Sequence, residues 1–207
     1  MSLFDRLILE VDKALRTSTG NVGMTSRPTP ATEQSELNSE EKALAGRLMR
    51  VNHCGEVCAQ ALYHGQALTA KSGRVANAMR EAAIEETDHL AWCESRLKEL
   101  DTPVSLLNPF WYASSFGIGA LTGLLGDKIN LGFVAATEEQ VCKHLDEHLE
   151  KLPSADARSR EVLSAMRDDE KRHEDTALKK GGARFPKPVK ALMTGVSKTM
   201  TRSSYWL

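Results

Sequence analysis

The segment RDDEKRHED, residues 167–175, carries a titratable side chain at every position, which is typical of a solvated helix face or of an unfolded stretch. Apolar residues flank it at helical spacing, with Met166 before it and Ala177 after it. Along such a helix the apolar face continues through Glu170 and His173. The segment therefore predicts a helix that directs one carboxylate and one imidazole toward the protein core, with its other seven side chains in solvent.

A glutamate followed three residues later by a histidine occurs at two places, Glu86/His89 and Glu170/His173. In a helix of about 3.6 residues per turn, positions i and i+3 project from the same face, so each pair can bind a single ion. A lone pair of this kind is more often a surface feature than a set of metal ligands. Two pairs at similar places in two predicted helices indicate a metal site more strongly.

A further glutamate interrupts the apolar face of the long helix that precedes each pair. Glu56 lies 30 residues before Glu86, and Glu138 lies 32 residues before Glu170. The adjacent Glu139 competes with Glu138 for this role but lies one step off the apolar face. The chain thus repeats, approximately, a helix with one glutamate and a helix with a Glu-x-x-His pair. This pattern predicts an all-α fold with four long helices.

Four inward-facing glutamates would destabilise a protein core without compensation. Burying one unpaired carboxylate costs several kcal/mol, and neighbouring carboxylates repel one another further. Two divalent cations would balance the four negative charges, and oxygen ligands with two histidines suit iron or manganese better than zinc. Ferritin-like dimetal carboxylate bundles use this ligand set. The predicted metal ligands are Glu56, Glu86, His89, Glu138, Glu170 and His173.

The remaining histidines and the cysteines are expected to have structural roles. His53 and His64 are placed at helix flanks, and His144 is a candidate partner of a metal ligand, although an ordinary structural role is favoured. The cysteines at 54, 58, 93 and 142 contain no CxxC pair and match no zinc spacing. They are typical of a reduced cytosolic chain.

A single domain over residues 1–207 accounts for the whole pattern. It is predicted to consist of an amphipathic helix at 1–16, a polar linker at 17–39, a helical bundle at 40–181 and a basic amphipathic tail at 182–207. Ser39 is the predicted N-cap of the first long helix. The four long helices are expected near 40–70, 75–100, 129–152 and 155–180.

Residues 102–126 connect the two halves of the bundle and contain no charged side chain. The segment is long enough to span a bilayer, but Pro103, Pro109 and four glycines interrupt it. We expect a helical hairpin or an interfacial segment that forms the wall of an apolar site beside the metals. A buried core helix is the alternative.

The chain carries 27 basic and 28 acidic residues, a balance that gives no reason to expect nucleic acid as a partner. Asp5, Glu10 and Asp12 interrupt the apolar N-terminal stretch, which is therefore not a typical signal peptide. This stretch and the basic tail either lie on anionic lipid or pack against the bundle. The first alternative predicts a peripheral protein on the cytoplasmic face of the cell membrane.

Four segments of the chain resemble the signature stretches of the demethoxyubiquinone hydroxylases of ubiquinone biosynthesis: RVNHCGEVCAQALYHGQ (50–66), EETDHL (85–90), ATEEQV (136–141) and RDDEKRHED (167–175). The tail PKPVKALMTGVSKTM (186–200) resembles that family too. The resemblance implies a ferritin-like di-iron monooxygenase that uses O2 to hydroxylate a polyprenylated methoxy-methyl-benzoquinol. It also implies, as partners, this quinol, the membrane surface and other ubiquinone-biosynthesis proteins.

The same resemblance assigns the metal ligands to two iron ions. Carried over by position, one iron is bound by Glu56, Glu86 and His89, and the other by Glu138, Glu170 and His173, with Glu86 and Glu170 as bridges. Two rival interpretations remain. An iron-storage or ferroxidase protein would have a hydrophilic channel in place of residues 102–126, and a membrane-associated scaffold would hold the metals structurally.

Overall fold

The structure, a computed structural model, describes residues 25–30, 32, 33 and 35–207, together with positions 12, 14 and 17. Residues 35–207 form six helices: α1 (Ser39–Thr69), α2 (Gly73–Glu99), α3 (Asn108–Leu124), α4 (Asp127–Lys151), α5 (Ala157–Lys179) and α6 (Lys187–Trp206). No strand occurs among the described residues, so the all-α prediction is confirmed. Most of the predicted helix at 1–16 lies outside the described residues.

The first long helix is capped one residue earlier than predicted. The side chain of Asn38 accepts hydrogen bonds from the backbone N–H groups of Glu40 and Glu41, and the Glu41 carboxylate accepts one from the N–H of Asn38. This reciprocal arrangement satisfies two backbone donors that the helix itself leaves free. The predicted cap at Ser39 is wrong, because Asn38 is an equally good capping residue and is the one that has a glutamate three positions later.

The bundle core consists of two apolar clusters at opposite ends of the four long helices, α1, α2, α4 and α5. One cluster contains Met49, Trp92, Leu97, Leu145, Leu163 and Met166. The other contains Tyr63, Val75, Met79, Leu131, Val134 and Ala177. In each helix, the predicted metal ligands occupy the turns between these two sets of residues. The polar cluster is therefore enclosed by apolar packing on both sides along the bundle axis.

Helix α3 packs closely against α1 through glycines. A Cβ atom added to Gly65 would lie 2.3 Å from the carbonyl oxygen of Phe116, and one added to Gly119 would lie 2.2 Å from that of Leu62. Of the two forms predicted for residues 102–126, a helical hairpin or an interfacial segment, the hairpin does not occur, because Asn108–Leu124 form one helix that uses its glycines to approach α1. Among the described residues, no helix combines the length and the apolar character needed to cross a bilayer.

The basic tail forms α6, which lies across α1. The Arg50 guanidinium donates hydrogen bonds to the carbonyl oxygens of Ser204 and Tyr205, and the N–H of Leu106 donates to the Leu207 carbonyl oxygen at 2.8 Å. Ser204 is the one fully buried residue of this helix. The C-terminal end of α6 is thus attached to the bundle by hydrogen bonds, while most of the helix covers the surface of α1 and α4.

Candidate metal centre

Four of the six predicted ligands form a compact buried group. Atoms of Glu56, Glu86, His89 and Glu170 that can bind a metal all lie within 4.8 Å of one another. None of the four side chains is more than 4% exposed. Because α1, α2 and α5 each present this face to the bundle axis, residues that are up to 114 positions apart meet at one point.

The other two predicted ligands lie at the edge of this group. His173 Nδ1 is 3.0 Å from Glu170 Oε2 and 3.5 Å from Glu86 Oε1. Glu138 is 1% exposed, and its Oε1 atom accepts a hydrogen bond from the Tyr63 hydroxyl. All six predicted ligands therefore converge on one buried cluster, and the division of this cluster between two ions remains a prediction.

Two carboxylate oxygens of the cluster are available to bind a cation. Glu56 Oε2 and Glu86 Oε1 are buried acceptors without a hydrogen-bond donor among the described residues. Burial raises the pKa of the Glu56 carboxyl well above its ordinary value, and it does the same for Glu138, where the charges of Glu170 and Glu86 add to the effect. Four buried carboxylates and two imidazoles form an oxygen- and nitrogen-donor set suited to iron.

The carboxylates and imidazoles of the cluster shift one another's pKa values. Burial opposes protonation of the two imidazoles, but the surrounding carboxylates raise the pKa of His173 to about 11 and that of His89 well above its ordinary range. Burial alone would raise the pKa of Glu170, yet hydrogen bonds from both imidazoles lower it to about 2. A metal ion must displace these protons, since the ring nitrogen that binds it has to be bare.

Each histidine of the cluster also contacts a carboxylate outside it. His89 Nε2 lies 3.0 Å from Asp169 Oδ2, and His173 Nε2 lies 3.1 Å from Glu85 Oε2. With a metal ion at Nδ1, the Nε2–H group would donate a hydrogen bond to the carboxylate, which would fix the ring and make Nδ1 a stronger ligand. Each carboxylate belongs to the residue directly before the Glu-x-x-His glutamate of the opposite helix.

Two arginines bind these outer carboxylates. Arg172 bridges them, with Nη1 2.8 Å from Asp169 Oδ1 and Nη2 2.6 Å from Glu85 Oε2. Arg27 Nη2 lies 2.7 Å from Asp169 Oδ2. Asp169 is 6% exposed, so the prediction that it belongs to a solvated face is wrong. The acidic residue that precedes both Glu-x-x-His pairs was the sequence signal for this role.

An apolar cavity of about 350 Å³ lies against one side of the cluster. Three of the predicted ligands, Glu56, Glu138 and Glu170, line this cavity. Its other walls include residues of α3 and α6, namely Trp111, Ser115, Ile118, Leu192, Val196 and Met200. The prediction that residues 102–126 form the wall of an apolar site beside the predicted ligands is confirmed.

Comparison with known proteins identifies the family of the chain. Residues 43–204 match the family described as ubiquinone biosynthesis protein COQ7. The chain belongs to the COQ7 family. The membership agrees with the predicted resemblance and with the ferritin-like bundle, to which α3 and α6 are added.

Relatives of this COQ7-family chain are similar to it over nearly their full length. The 3-demethoxyubiquinol 3-hydroxylase of Ectopseudomonas mendocina (strain ymp) is 59% identical over 203 residues, which cover 97% of this chain and 94% of the relative. The protein of the same name from Azotobacter vinelandii is 57% identical over 206 residues, covering 99% and 96% of the two chains. That of Pseudomonas aeruginosa (strain LESB58) is 54% identical over 206 residues, with the same coverage.

The other histidines of this COQ7-family chain serve its packing. His53 is fully buried, with its ring nitrogens 3.4 Å from Asn108 Nδ2 and 3.6 Å from Glu94 Oε1, so its predicted place at a helix flank is wrong. His64 is half-buried as expected and contacts the Tyr112 hydroxyl at 3.1 Å. The helix-flank interpretation failed for His53 because α3 covers a face of α1 that would otherwise be exposed.

His144 and Glu139, the two residues considered beside the ligand set, have separate partners. The His144 ring lies 3.9 Å from that of His148, which in turn contacts Asn52 Oδ1 at 2.9 Å. Glu139 forms ion pairs with Lys143 and Lys190. The ordinary structural role favoured for His144 fits this packing, and Glu138, rather than Glu139, faces the cluster.

Proposed function

We propose that the chain is a di-iron 3-demethoxyubiquinol 3-hydroxylase of ubiquinone biosynthesis. The observation that carries the proposal is a buried group of carboxylates and imidazoles, three members of which, Glu56, Glu138 and Glu170, also line an apolar cavity. Relatives of 54–59% identity carry this name, and their similarity extends over the whole bundle. The substrate is accordingly a benzoquinol with a polyprenyl chain, and O2 is the second substrate.

The positions of the histidines support the assignment of Glu86 and Glu170 as bridging ligands. Glu170 places one carboxylate oxygen 3.0 Å from His89 Nδ1 and the other 3.0 Å from His173 Nδ1. Glu86 contacts the same two nitrogens at 3.0 and 3.5 Å. A carboxylate that reaches both imidazoles would be suited to join two ions, and Glu56 would then bind the first iron and Glu138 the second.

The residues of the chain orient the metals and the ring and exclude water. When bound, the two irons would supply the redox chemistry that activates O2; entry of one oxygen atom into the ring and release of the other as water consume two electrons from an external reductant and two protons. The Tyr63 hydroxyl holds Glu138 by a hydrogen bond, and the imidazoles are held through Asp169 and Glu85. The apolar walls keep the ring beside the cluster and bulk water away from it.

The cavity volume suits a benzoquinol ring with the beginning of its prenyl chain, and the remaining chain would follow α3 and α6 outward. An iron-storage protein was expected to replace residues 102–126 by a hydrophilic channel. The cavity wall formed by Trp111 and Ile118 is instead apolar, which argues against storage as the function.

The outer surface of α3 and α6 supports membrane attachment, which we propose to occur at the cytoplasmic face of the cell membrane. Exposed apolar side chains cluster there: Leu106, Phe110, Leu121, Leu124, Leu125, Leu192, Val196, Trp206 and Leu207. The N–H of Leu106 bonds to the carbonyl of Leu207, so the N-terminal end of α3 and the C-terminal end of α6 meet. Lysines in α6, among them Lys187 and Lys198, complement anionic lipid. A lipid-facing wall would admit a prenylated substrate directly.

The experiment that tests the function measures iron and product together. Purified protein loaded anaerobically with Fe²⁺ is expected to hold about two irons per chain and, with a reductant and O2, to convert a short-chain demethoxyubiquinol into its hydroxylated product. Iron oxidation and accumulation without hydroxylated quinol would overturn the proposal in favour of storage. Product formation without bound iron would overturn the di-iron assignment.

A further inference from the structure

The polar stretch before α1 contacts two carboxylates that adjoin the predicted ligands. The described residues 25–30 are here called the strap, and two of them, Ser26 and Arg27, contact α2 and α5. The backbone N–H of Ser26 donates a hydrogen bond to Asp88 Oδ1 at 2.7 Å. Arg27 Nε lies 3.1 Å from Asp88 Oδ2, and the Arg27 guanidinium stacks on the Trp92 ring at 4.8 Å from its centre. The strap is therefore attached by one side chain and one backbone group.

Arg27 also contacts the carboxylate that orients His89. Its Nη2 atom lies 2.7 Å from Asp169 Oδ2, the same oxygen that lies 3.0 Å from His89 Nε2. Arg172 binds the other oxygen of this carboxylate. Asp169 is nearly buried, so its orientation depends on these charged partners, and the direction of Oδ2 determines how the His89 ring is held.

The two halves of the cluster differ in the arginines that bind their outer carboxylates. Glu85, which backs His173, is bound by Arg172 from the neighbouring helix α5. Asp169, which backs His89, is bound by Arg172 and additionally by a residue of the strap. Any change at Arg27 should therefore affect the His89 half of the cluster more than the His173 half.

We propose that Arg27 is a positioning residue of the metal centre, which acts through Asp169 on His89 and so couples attachment of the strap to metal binding at the His89 half. The inference rests on the proposed dimetal centre. Arg27 touches neither substrate nor metal. Because the coupling is reciprocal, a metal at His89 stabilises the attached strap as much as the attached strap stabilises the metal.

The first test measures metal affinity rather than activity. Apo-protein and Arg27→Gln protein are titrated with Fe²⁺, and separately with Co²⁺, against a competing chelator. We expect Arg27→Gln to weaken the affinity for one ion about tenfold and to change the affinity for the second ion by no more than about twofold. Tenfold is the lower end of the effect of losing an outer partner of a metal ligand. Arg27→Lys should fall between, because one ammonium group cannot span both Asp88 and Asp169.

Arg158 provides a matched control at the other end of the same stretch. Its Nε atom donates to the Thr32 carbonyl oxygen at 3.2 Å, and its Nη1 atom lies 3.1 Å from Glu99 Oε2, so it attaches the chain near the strap without contacting Asp169. Arg158→Gln should leave both metal affinities within about twofold. Equal losses in Arg158→Gln and Arg27→Gln would overturn the proposal, as would an unchanged affinity in Arg27→Gln.

A second variant tests the same contacts in case Arg27→Gln does not fold. Asp88→Asn weakens the contacts of Ser26 and Arg27 while leaving Asp169 intact, and it should reduce affinity of the same ion by a smaller factor than Arg27→Gln. The Arg27 side chain is 39% exposed, so its replacement leaves no core cavity. If Arg27→Gln does not fold, the metal affinity of Asp88→Asn decides the test. An affinity of Asp88→Asn equal to that of the wild type overturns the proposal.

Hydrogen exchange tests the reciprocal effect. Addition of Fe²⁺ should slow amide exchange of Ser26 and Arg27 in wild-type protein and should have no such effect in Glu170→Ala, which lacks a predicted bridge. Exchange that is unaffected by metal in the wild type would contradict the coupling. A wild-type protein that binds no metal would instead refute the proposed function, so the two failures are distinguishable.

Discussion

The Oδ2 atom of Asp169 lies 3.0 Å from Nε2 of His89, on the side of the imidazole that faces away from the other predicted ligands. Asp169 directly precedes Glu170, whose own carboxylate contacts the other nitrogen of the same ring. Two consecutive residues of α5 therefore hold one histidine of α2 at both nitrogens. Glu85 holds His173 in the same way from α2, which makes the two halves of the site mutually dependent.

Replacing Asp169 by Asn should weaken metal binding by about 10–100-fold, because the neutral amide orients the His89 ring less firmly and no longer raises the basicity of Nδ1. Chelator competition in purified protein measures this loss. Asp168→Asn is the matched control, since the Asp168 side chain is 72% exposed and pairs with Arg167 at the surface. Equal affinities of the two variants would contradict the role of Asp169.

Glu170→Ala should abolish both hydroxylation and metal-dependent stabilisation. Saturating metal at about 100 times its dissociation constant stabilises a folded site by about 2.7 kcal/mol, and this gain should disappear in the variant. Thermal unfolding with and without Fe²⁺ provides the measurement. Glu139→Gln, which changes a carboxylate paired with lysines one position away from a predicted ligand, should retain the stabilisation.

Val196→Trp should raise the KM for the quinol severalfold without changing the iron content, because Val196 lines the apolar cavity and an indole ring would occupy part of its volume. Steady-state kinetics with a short-chain quinol, together with iron analysis, tests this. Val189→Trp is the control, since Val189 lies on the same helix and does not line the cavity. An unchanged KM in Val196→Trp would rule out this cavity as the quinol site.

Gly119→Ala should destabilise the protein by about 1–3 kcal/mol, since the added methyl group would lie 2.2 Å from the Leu62 carbonyl oxygen and force α3 away from α1. Gly117→Ala, two residues earlier, meets no atom within 4 Å and should stabilise the helix by up to about 1 kcal/mol. Urea unfolding of both variants measures the difference. Effects of the same sign would contradict the observed packing.

Acid should destabilise the fold through the two neighbouring histidines of α4. Burial lowers the pKa of His148 to about 2 and that of His144 to about 4. As the pH falls below about 6.5, the unfolded chain binds protons at these rings and the folded chain does not, so the free energy of unfolding decreases. The protein thus has its full stability with respect to these two neutral, buried imidazoles above pH 6.5, and it loses this stability progressively below that pH.

The measurement compares wild type with His148→Gln, so that contributions shared by the two proteins cancel. Between pH 6 and pH 4, wild-type stability should fall more steeply, by up to about 1.4 kcal/mol per pH unit for the one histidine removed. Urea unfolding at several pH values yields both slopes. Parallel curves would show that His148 takes up a proton in the folded state, contrary to its burial beside Asn52.

Much of the fold and of the candidate site could be predicted because helices repeat locally. A period of about 3.6 residues places Glu56, Glu86, Glu138 and Glu170 on the faces that also carry the apolar residues, and those faces must meet in a bundle. The cost of burying four carboxylates then predicted a cation. These inferences depend on residues within a few turns of one another and on the energy of burial, both of which can be read along the chain.

The tertiary structure alone decided the contacts between distant elements. The pairing of His89 with Asp169, the attachment of Arg27 to α2 and α5, and the burial of His53 beneath α3 join residues 55 to 142 positions apart. No local period encodes such contacts, because they depend on which helices adjoin and on where side chains of different helices meet. The charged run at 167–175 illustrates both cases. The helical period predicted the inward direction of Glu170 and His173, whereas only the packing of the helices showed the roles of Asp169 and Arg172.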